Sequence, residues 1–396
     1  MRLRFKAAIA LALCAAAFVL HSAEQHTTVT KKMTNNPSIG IVSFSGESAA
    51  RAGFERLLEC CGWFTLQRGA DARTADIRLN VQSYSPNDIS AAVTAGQKNF
   101  RVSRKGDDAM LHAVDDILRE LYRMPAYCTK KIYFVQDGAN NMKEIFSCYL
   151  DGSGLERVTH NGAISTEPSW GHSQAMVYTV VRNNSLAIVL SDMKNNRQRV
   201  VSNAPGLNSS AALSHSGRRL ALPMSLDGQV DLYVIELDGG NRRIRLTRNR
   251  DVESSPCWSP DDSQLCYVSD RLGVPQLYLR DFAQGGSERR ISTGNNECVS
   301  PDWSPISNKI CFSYKTNMGQ RHIAVMDMRS QTYEIKVVTR AAGDWEAPSW
   351  APDGRHIVCT RATGNGYRDL YIIDSWSNAM QPVSRNARVS LPAWRP

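Results

Sequence analysis

The chain has 396 residues, of which 42% are hydrophobic and 21% are charged. This length allows roughly two or three domains with real hydrophobic cores, and the composition excludes a disordered or fibrous chain. The formal net charge is +9, but the basic residues are scattered, which argues against a nucleic-acid-binding surface.

The first residues have the pattern of a secretory signal. Basic residues at positions 2, 4 and 6 precede an apolar stretch over residues 7–20, and those 14 residues are short for a membrane span. Ala23 is the predicted last residue before cleavage, so we interpret residues 1–23 as a signal peptide and expect export. Residues 24–36 are polar and lack periodicity, which predicts a flexible tail.

A small α/β domain is predicted over residues 37–127, because apolar runs of strand length alternate with helical stripes of apolar residues there. Pro125 ends the last helix. We predict, in chain order, a strand over 39–44, a helix over 49–60 capped by residues 45–48, a strand over 77–81 and a helix over 109–121.

This domain contains one arrangement that looks catalytic. Gly46 and Ser48 follow a strand and precede a helix, as in the nucleophile elbow of hydrolases, with Ala50 in place of the final glycine. Such a hydrolase needs a large sheet that supplies Asp and His after the Ser, and a domain of this size offers only His112. Helix capping explains Ser48 more simply, and no catalytic residue is predicted.

A repeated motif fills the rest of the chain. It has the form Pro-x-Trp, as in Pro168 to Trp170, and one degenerate copy reads Ala-Ala-Leu at 211–213. The six copies begin at residues 168, 211, 256, 301, 348 and 392, with spacings of 43, 45, 45, 47 and 44 residues. Six repeats of this length predict a six-bladed β-propeller over residues 128–396, with a four-stranded sheet in each blade.

Each repeat can be divided into strands and turns. The Pro-x-Trp stretch is the predicted innermost strand, and Ser-Pro-Asp-Asp or Ala-Pro-Asp-Gly forms the turn that follows. An apolar strand such as 264–269 comes next, and an alternating strand such as 276–281 follows it. The aspartates of these turns are interpreted as turn residues instead of calcium ligands, because they lack EF-hand spacing.

The two ends of the repeat region are complementary. Residues 131–160 contain second, third and fourth strands without a Pro-x-Trp strand, whereas 391–396 is a first strand with nothing after it. We therefore predict that the C-terminal strand completes the first blade and covers its edge.

The cysteines are interpreted mainly as small buried residues, with at most one disulfide. Cys266 and Cys311 occupy equivalent places in apolar stretches. Cys60 and Cys61 lack the further cysteines or nearby histidine of a zinc site, so no metal or cofactor is predicted.

The combination of these features resembles the TolB family, the periplasmic propeller proteins of the Tol–Pal envelope system. The resemblance covers most of the chain that follows the signal. It rests on residues 37–44 (PSIGIVSF), 57–64 (LLECCGWF), 112–117 (HAVDDI), 129–135 (TKKIYFV), 269–278 (SDRLGVPQLY) and 391–396 (LPAWRP).

The resemblance implies a periplasmic, non-enzymatic and monomeric scaffold without cofactors, which supports outer-membrane integrity and cell division. It implies that a Pal-like peptidoglycan-associated lipoprotein binds at the propeller mouth, just before the Pro-x-Trp motifs. Trp345 is interpreted from the sequence as an exposed aromatic residue of a loop, of the type that anchors interfaces. A TolA-like inner-membrane protein is the implied partner of the tail, although residues 24–36 contain no obvious copy of the family's TolA-binding segment. The candidate partner-binding residues are His160, Thr166, Glu167, Asn208, Ser209, Glu253, Ser254, Asn296, Glu297, Trp345 and Glu346.

A second function remains open, namely a secreted propeller enzyme or ligand-binding protein that acts on carbohydrate or peptide. Such an enzyme presents carboxylates or histidines that converge on the channel. The residues that approach the inner strands differ from blade to blade here, which suits a partner surface better.

Overall fold

The computed structural model describes residues 36–396, apart from residues 172–173, 227, 239, 249, 283–285 and 331. The predicted signal peptide and residues 24–35 of the predicted tail lie outside the described residues. No helix in the described part of the chain is long and apolar enough to cross a membrane.

The described chain begins with a mixed sheet of strand order β2-β1-β3-β4-β5, in which β1 is parallel to β2 and β3 and the remaining pairs are antiparallel. The patterns of the sequence predict β1 and β3 but not the hairpin of β4 and β5, because β5 has the single buried residue Val102 and so lacks a clear alternation. The strands are β1 Ser38–Gly46, β2 Thr65–Gln67, β3 Ile77–Ser85, β4 Asp88–Ala95 and β5 Lys98–Lys105.

Two helices, α1 Ser48–Cys60 and α2 Ala109–Tyr122, pack against the sheet and against each other. Both helices are at the predicted positions, but the predicted cap of α1 is wrong. Glu47 occupies the N-cap position without a side-chain cap, and Ser48 is already helical. The reason is that β1 continues to Gly46 and the Glu47 N–H donates to the Ser83 carbonyl oxygen at 3.2 Å, which keeps the chain extended up to the helix.

Asp115 of α2 holds the segment that enters the propeller. Its carboxylate accepts hydrogen bonds from the backbone N–H groups of Tyr127, Cys128 and Thr129 at 2.8–3.0 Å, and from the Thr129 hydroxyl at 2.7 Å. Because these donors would otherwise be buried without partners, this one side chain determines where the propeller begins relative to the helix.

The rest of the described chain forms six antiparallel sheets of four strands, arranged as blades. One backbone pairing, Lys143 with Ile164, also joins blades 1 and 2. From inner to outer strand, blade 1 contains β29 Val389–Trp394, β6 Ile132–Asp137, β7 Lys143–Cys148 and β8 Glu156–Arg157; blade 2 contains β9 Ile164–Trp170, β10 Ala175–Arg182, β11 Ser185–Asp192 and β12 Arg197–Ser202; blade 3 contains β13 Ala212–Leu213, β14 Arg219–Met224, β15 Asp231–Glu236 and β16 Arg242–Arg245; blade 4 contains β17 Glu253–Trp258, β18 Gln264–Ser269, β19 Gln276–Asp281 and β20 Glu288–Arg290; blade 5 contains β21 Cys298–Trp303, β22 Lys309–Lys315, β23 Arg321–Asp327 and β24 Ile335–Val337; blade 6 contains β25 Asp344–Trp350, β26 His356–Thr363, β27 Tyr367–Asp374 and β28 Met380–Pro382.

The C-terminal strand closes the ring in the way that the sequence predicts. β29 pairs antiparallel with β6, with Ser390 opposite Val135 and Trp394 opposite Ile132. The Trp394 indole also donates to the Lys130 carbonyl oxygen at 3.1 Å. The degenerate repeat, in which Leu213 replaces the tryptophan, coincides with a short inner strand, because β13 is only 2 residues long.

A continuous apolar core joins the small domain to blades 1 and 6. Tyr127 stacks on the His356 ring at 5.6 Å, and the Trp63 indole donates to the Asp353 carboxylate at 3.0 Å. The domain boundary that the sequence places between residues 127 and 128 stays a prediction, because this core runs across it.

The nine cysteines of the described chain are free thiols, and eight of them are buried. Cys266 and Cys311 are completely buried within apolar clusters. Their interpretation as small apolar core residues is therefore confirmed.

Candidate functional site: the channel and its mouth

The inner strands surround a central channel that contains a cavity of about 310 Å³. The four-residue stretches around the six motif copies line it, together with Gly171, His215, Pro305 and Pro396. The predicted innermost strands therefore form the channel wall. These stretches are 167–170, 210–213, 255–258, 300–303, 347–350 and 391–394.

Each inner strand is bent directly before its motif by a residue with left-handed backbone conformation. Five of the strand pairings shift register at this point, which is the signature of a β-bulge. A non-glycine residue in this conformation costs on the order of 1–3 kcal/mol, so the surrounding structure must hold it there. The six residues are Glu167, Ser210, Ser255, Ser300, Ala347 and Leu391, with φ between 48° and 56°.

Contacts between neighbouring blades help to hold these bulges. The Glu167 carboxylate accepts hydrogen bonds from the Ser210 N–H and hydroxyl at 2.6 Å each and from the Thr179 hydroxyl at 2.8 Å. The Ala347 N–H donates to the Ser313 hydroxyl at 3.2 Å. The bulges therefore also connect one blade to the next.

Asp302 is a second carboxylate of the channel wall. It accepts a hydrogen bond from the Trp350 N–H of the next blade at 2.7 Å. Burial raises the pKa of Asp302 to about 6, since the charged form loses hydration there. Both channel carboxylates thus accept hydrogen bonds from the protein itself.

The loops that lead from one blade into the next lie at one end of the channel, which we call the mouth. The loops between the second and third strands of each blade lie at the same end, because the two kinds of loop bond to each other. The Asn296 amide donates to the Lys315 carbonyl oxygen at 2.8 Å, and the Val252 N–H donates to the Asp270 carboxylate at 2.8 Å. Residues of both kinds of loop therefore lie at the mouth.

A hydroxyl group at the start of the inter-blade loop is repeated in five of the blades within the described chain. Each hydroxyl accepts a hydrogen bond from a backbone N–H of the third strand at 2.9–3.0 Å. This bond holds the loop against its own blade. The hydroxyls belong to Thr159, Thr247, Ser292, Thr339 and Ser384.

Three of the predicted partner-binding residues are buried, so their assignment as contact residues is wrong. Asn208, Glu253 and Trp345 have no solvent-exposed surface. They belong to a set of equivalent inner-strand positions that point into the body of the blade, each at most 4% exposed. This set is Ser165, Asn208, Glu253, Cys298, Trp345 and Val389.

Trp345 is a core residue of blade 6 instead of an exposed anchor. Its indole donates to the Ala341 carbonyl oxygen at 2.9 Å and meets the Tyr371 ring at 5.2 Å. The Arg361 guanidinium lies 5.2 Å from its ring and covers it from the mouth. Trp345 is the second residue of β25. Its side chain therefore points to one face of the strand, as the alternation of a strand requires, and not outward from a loop.

Glu253 is buried in a polar cluster. Its carboxylate accepts hydrogen bonds from the Thr247 hydroxyl at 3.0 Å and the Ser269 hydroxyl at 3.3 Å, and the Arg271 guanidinium lies 3.7 Å away. Asn208 is similarly enclosed, and its side chain contacts the Ser202 hydroxyl at 2.7 Å. These groups hold the inter-blade loops and are not available to a partner.

The remaining predicted residues are accessible from the mouth. Glu297 and Glu346 share the Arg321 guanidinium, with N–O distances of 2.8 and 3.1 Å. The accessible set is the exposed His160 and the half-buried Thr166, Glu167, Ser209, Ser254, Asn296, Glu297 and Glu346.

Exposed apolar side chains at the mouth were missed by the sequence patterns. Met318 is 91% exposed, Leu272 is 60% exposed and Tyr367 is 37% exposed. Leu272 and Met318 lie in loops between second and third strands, where each directly precedes the glycine of a tight turn, and Tyr367 is the first residue of β27. An apolar residue before such a glycine was the signal that could have identified Leu272 and Met318.

The blades, the channel and the loops gathered at its mouth define a six-bladed β-propeller protein with a recessed central site. The family described as the TolB beta propeller domain matches residues 121–396, which is more than half of the chain. The chain belongs to this family, as the resemblance predicted.

Two curated relatives show how far the sequence similarity extends. The chain is 29% identical over 168 residues to the Protein TolB homolog of Chlorobium luteolum, which covers 41% of this chain and 36% of that protein. It is 29% identical over 135 residues to the Tol-Pal system protein TolB of Desulfosudis oleivorans, which covers 34% of this chain and 30% of that protein. The chain therefore spans about a third of the length of these relatives.

A similarity in structure extends over almost the whole chain. The fold is similar to the crystal structure of TolB from Acinetobacter baumannii, with a TM-score of 0.78, 21% identity and coverage of 91% of this chain and 97% of that one. At this identity the similarity concerns the fold alone.

Proposed function

We propose that the protein is a non-enzymatic periplasmic scaffold of a Tol–Pal envelope system, in which it supports outer-membrane integrity and constriction at cell division. The family match and the name of the Desulfosudis relative support the system. The binding of a Pal-like lipoprotein is assigned to the mouth. The observation that carries this assignment is the set of exposed apolar residues at the mouth, Leu272, Met318 and Tyr367, beside the recessed polar channel.

The channel supports a binding role better than a catalytic one. The Glu167 carboxylate is engaged by Ser210 and Thr179, and the Asp302 carboxylate is engaged by Trp350. A general acid or base needs a free position toward its substrate. This is the reason that the carbohydrate or peptide enzyme stays the second candidate.

A TolA-like partner is assigned to the tail. Asn36, the first described residue, donates through its side-chain amide to the Gly62 carbonyl oxygen at 2.8 Å and accepts a hydrogen bond from Arg355 of blade 6. The last residue of the tail is therefore fixed at the junction of the small domain and the propeller. Deletion of residues 24–35 should abolish capture of the periplasmic domain of a TolA-like protein and leave capture at the mouth unchanged.

The mouth assignment is tested with two matched double variants. Leu272→Ser with Met318→Ser removes apolar surface at the mouth. Leu155→Ser with Ile306→Ser removes exposed apolar residues from turns at the opposite end of the blades, where the side chains are 61% and 49% exposed. The probe is the soluble domain of the Pal-like lipoprotein of the same organism, in titrations followed by calorimetry.

We expect the mouth variant to bind the lipoprotein domain at least about tenfold more weakly, with an unchanged melting temperature, and the opposite-end variant to bind normally. The assignment would be overturned if the mouth variant bound the lipoprotein domain normally and the opposite-end variant did not bind it.

A further inference from the structure

We propose that the blade 6 side of the mouth binds an acidic segment of the protein partner, through a cluster of four arginines that we call the arginine rim. This inference rests on the proposed function, because it describes one part of the same partner surface. The arginine rim consists of Arg340, Arg368, Arg385 and Arg388, which are all exposed.

The four residues come from two inter-blade loops and from the start of β27, all at the mouth. Arg340 lies between blades 5 and 6, Arg368 lies at the start of β27, and Arg385 and Arg388 lie between blade 6 and β29. The backbone brings them together. Arg368 and Arg388 are directly paired in a parallel bridge, and the Arg368 N–H donates to the Ala387 carbonyl oxygen at 2.9 Å.

Neighbouring contacts also place Arg340 at this rim. Arg361 reaches across from β26 and donates to the Ala342 carbonyl oxygen at 2.7 Å. In the backbone register of β26 and β27, Arg361 lies opposite Asp369, which is the residue after Arg368. The loop that carries Arg340 is thereby held beside the strands that carry the rest of the cluster.

In the described chain, the charge of the arginine rim is not balanced by ion pairs. Within the part of the chain that the structure describes, none of its four guanidinium groups forms an ion pair, in contrast to Arg321, which pairs with Glu297 and Glu346. The nearest acid in sequence, Asp369, accepts hydrogen bonds from the Ala387 N–H and the Ser384 hydroxyl. It therefore holds the loop backbone.

Two like charges that face each other across paired strands destabilise the pair. Arg368 and Arg388 are in this position, so an anion that covers both would relieve their repulsion as it binds. Arginine presents a planar fork of donors that matches a carboxylate with two parallel hydrogen bonds. The chemistry of the rim therefore fits a segment with several carboxylates.

The position of the rim favours a protein segment over a lipid surface. The arginines lie in or beside loops of the mouth, along which a peptide can lie. The most exposed apolar side chains of the mouth, Leu272 and Met318, belong to blades 4 and 5, and the large apolar side chain that the described chain exposes beside the arginines is Tyr367, at 37%. A peripheral membrane site needs basic and apolar side chains that reach the bilayer together.

The test compares two double charge reversals that change the net charge equally. Arg368→Glu with Arg388→Glu alters the rim. Arg78→Glu with Arg197→Glu is the control, because these two arginines are exposed, form no ion pair in the described chain, and lie in the small domain and at the opposite end of blade 2. The probes are a fluorescent polyglutamate peptide, the soluble lipoprotein domain, and vesicles of phosphatidylglycerol.

We expect the rim variant to bind polyglutamate and the lipoprotein domain at least about tenfold more weakly, while the control binds as the natural protein does. The salt dependence between about 50 and 300 mM sodium chloride should become shallower in the rim variant only. Arg368→Gln with Arg388→Gln, which removes charge without reversing it, should give a smaller loss and provides the same test if the reversal impairs folding.

Two outcomes would overturn the inference. One is equal binding of polyglutamate and the lipoprotein domain by the rim and control variants. The other is binding of phosphatidylglycerol vesicles, but not of polyglutamate, through the rim. If the rim variants bind the lipoprotein normally while the Leu272 and Met318 variant loses it, the proposed function stands and only the acidic segment is wrong.

Discussion

The carboxylate of Glu167 in blade 2 accepts two hydrogen bonds from Ser210 in blade 3, one from the backbone N–H and one from the hydroxyl, each at 2.6 Å. Both residues have left-handed backbone conformation, with φ of 56° and 48°. The contact therefore joins two strained bulges at the place where the propeller has its shortest inner strand, β13.

Glu167→Ala should lower the free energy of unfolding by about 1–3 kcal/mol, because the partly buried donors of Ser210 lose their carboxylate acceptor. Glu334→Ala, at an exposed position in the connection between β23 and β24, is the control and should change stability little. Urea unfolding followed by tryptophan fluorescence measures both. Equal stability of the two variants would show that the contact does not hold blade 3.

Trp345→Ala should be a stability variant instead of a binding variant. The side chain is fully buried in blade 6, so its removal should cost about 3–5 kcal/mol and lower the melting temperature. Tyr84→Ala removes an aromatic side chain that is 65% exposed and should have little effect. A Trp345→Ala protein with normal melting behaviour would contradict the buried placement.

Removal of residues 389–396 should leave the edge of β6 without its partner β29. An unpaired inner strand invites pairing with other molecules, so we expect aggregation and loss of a cooperative thermal transition. Removal of residues 395–396 alone keeps β29 complete and is the control. Light scattering during thermal melts compares them, and a cooperative melt of the longer truncation would disprove the role of this strand in closure.

The raised pKa of Asp302 should make the stability of the protein depend on pH. Its pKa of about 6 in the folded protein lies above the value of 3.8 for an unperturbed aspartate. The folded state therefore binds more protons than the unfolded state, so this contribution to stability is present below about pH 4 and is lost as the pH rises through about 6.

Asp302→Asn should remove this dependence, since an amide oxygen can still accept the Trp350 N–H. The stability of the variant relative to the natural protein should increase between about pH 4 and pH 7. Unfolding in urea at the two pH values measures this difference. The same difference at both values would indicate that Asp302 has an ordinary pKa.

Asp353→Ala should weaken the junction between the small domain and the propeller. The Asp353 carboxylate accepts hydrogen bonds from the Trp63 indole at 3.0 Å and contacts the His356 ring nitrogen at 2.6 Å. We expect faster hydrogen exchange around Trp63 and Tyr127 in the variant, because a buried network that loses its central acceptor opens more often. Asp327→Ala, which removes an exposed ion pair with Arg329, should leave that exchange unchanged.

The sequence by itself determined the architecture of this protein. The spacing of the Pro-x-Trp copies predicts the number of blades, and the complementary ends at residues 131–160 and 391–396 predict the closure by β29. These features could be recognised because a repeat period and turn chemistry are local properties that recur in each copy.

Only the tertiary structure decided which residues face the mouth. Whether Trp345 points into the blade or toward the channel depends on the register of a single strand, and a shift by one residue exchanges the two faces. The bulges that set this register occur at Glu, Ser, Ala and Leu residues, which do not favour left-handed backbone as glycine does. The arginine rim depends on tertiary structure even more, because Arg340, Arg368 and Arg388 come together only when two inter-blade loops meet the start of β27 at one end of the propeller.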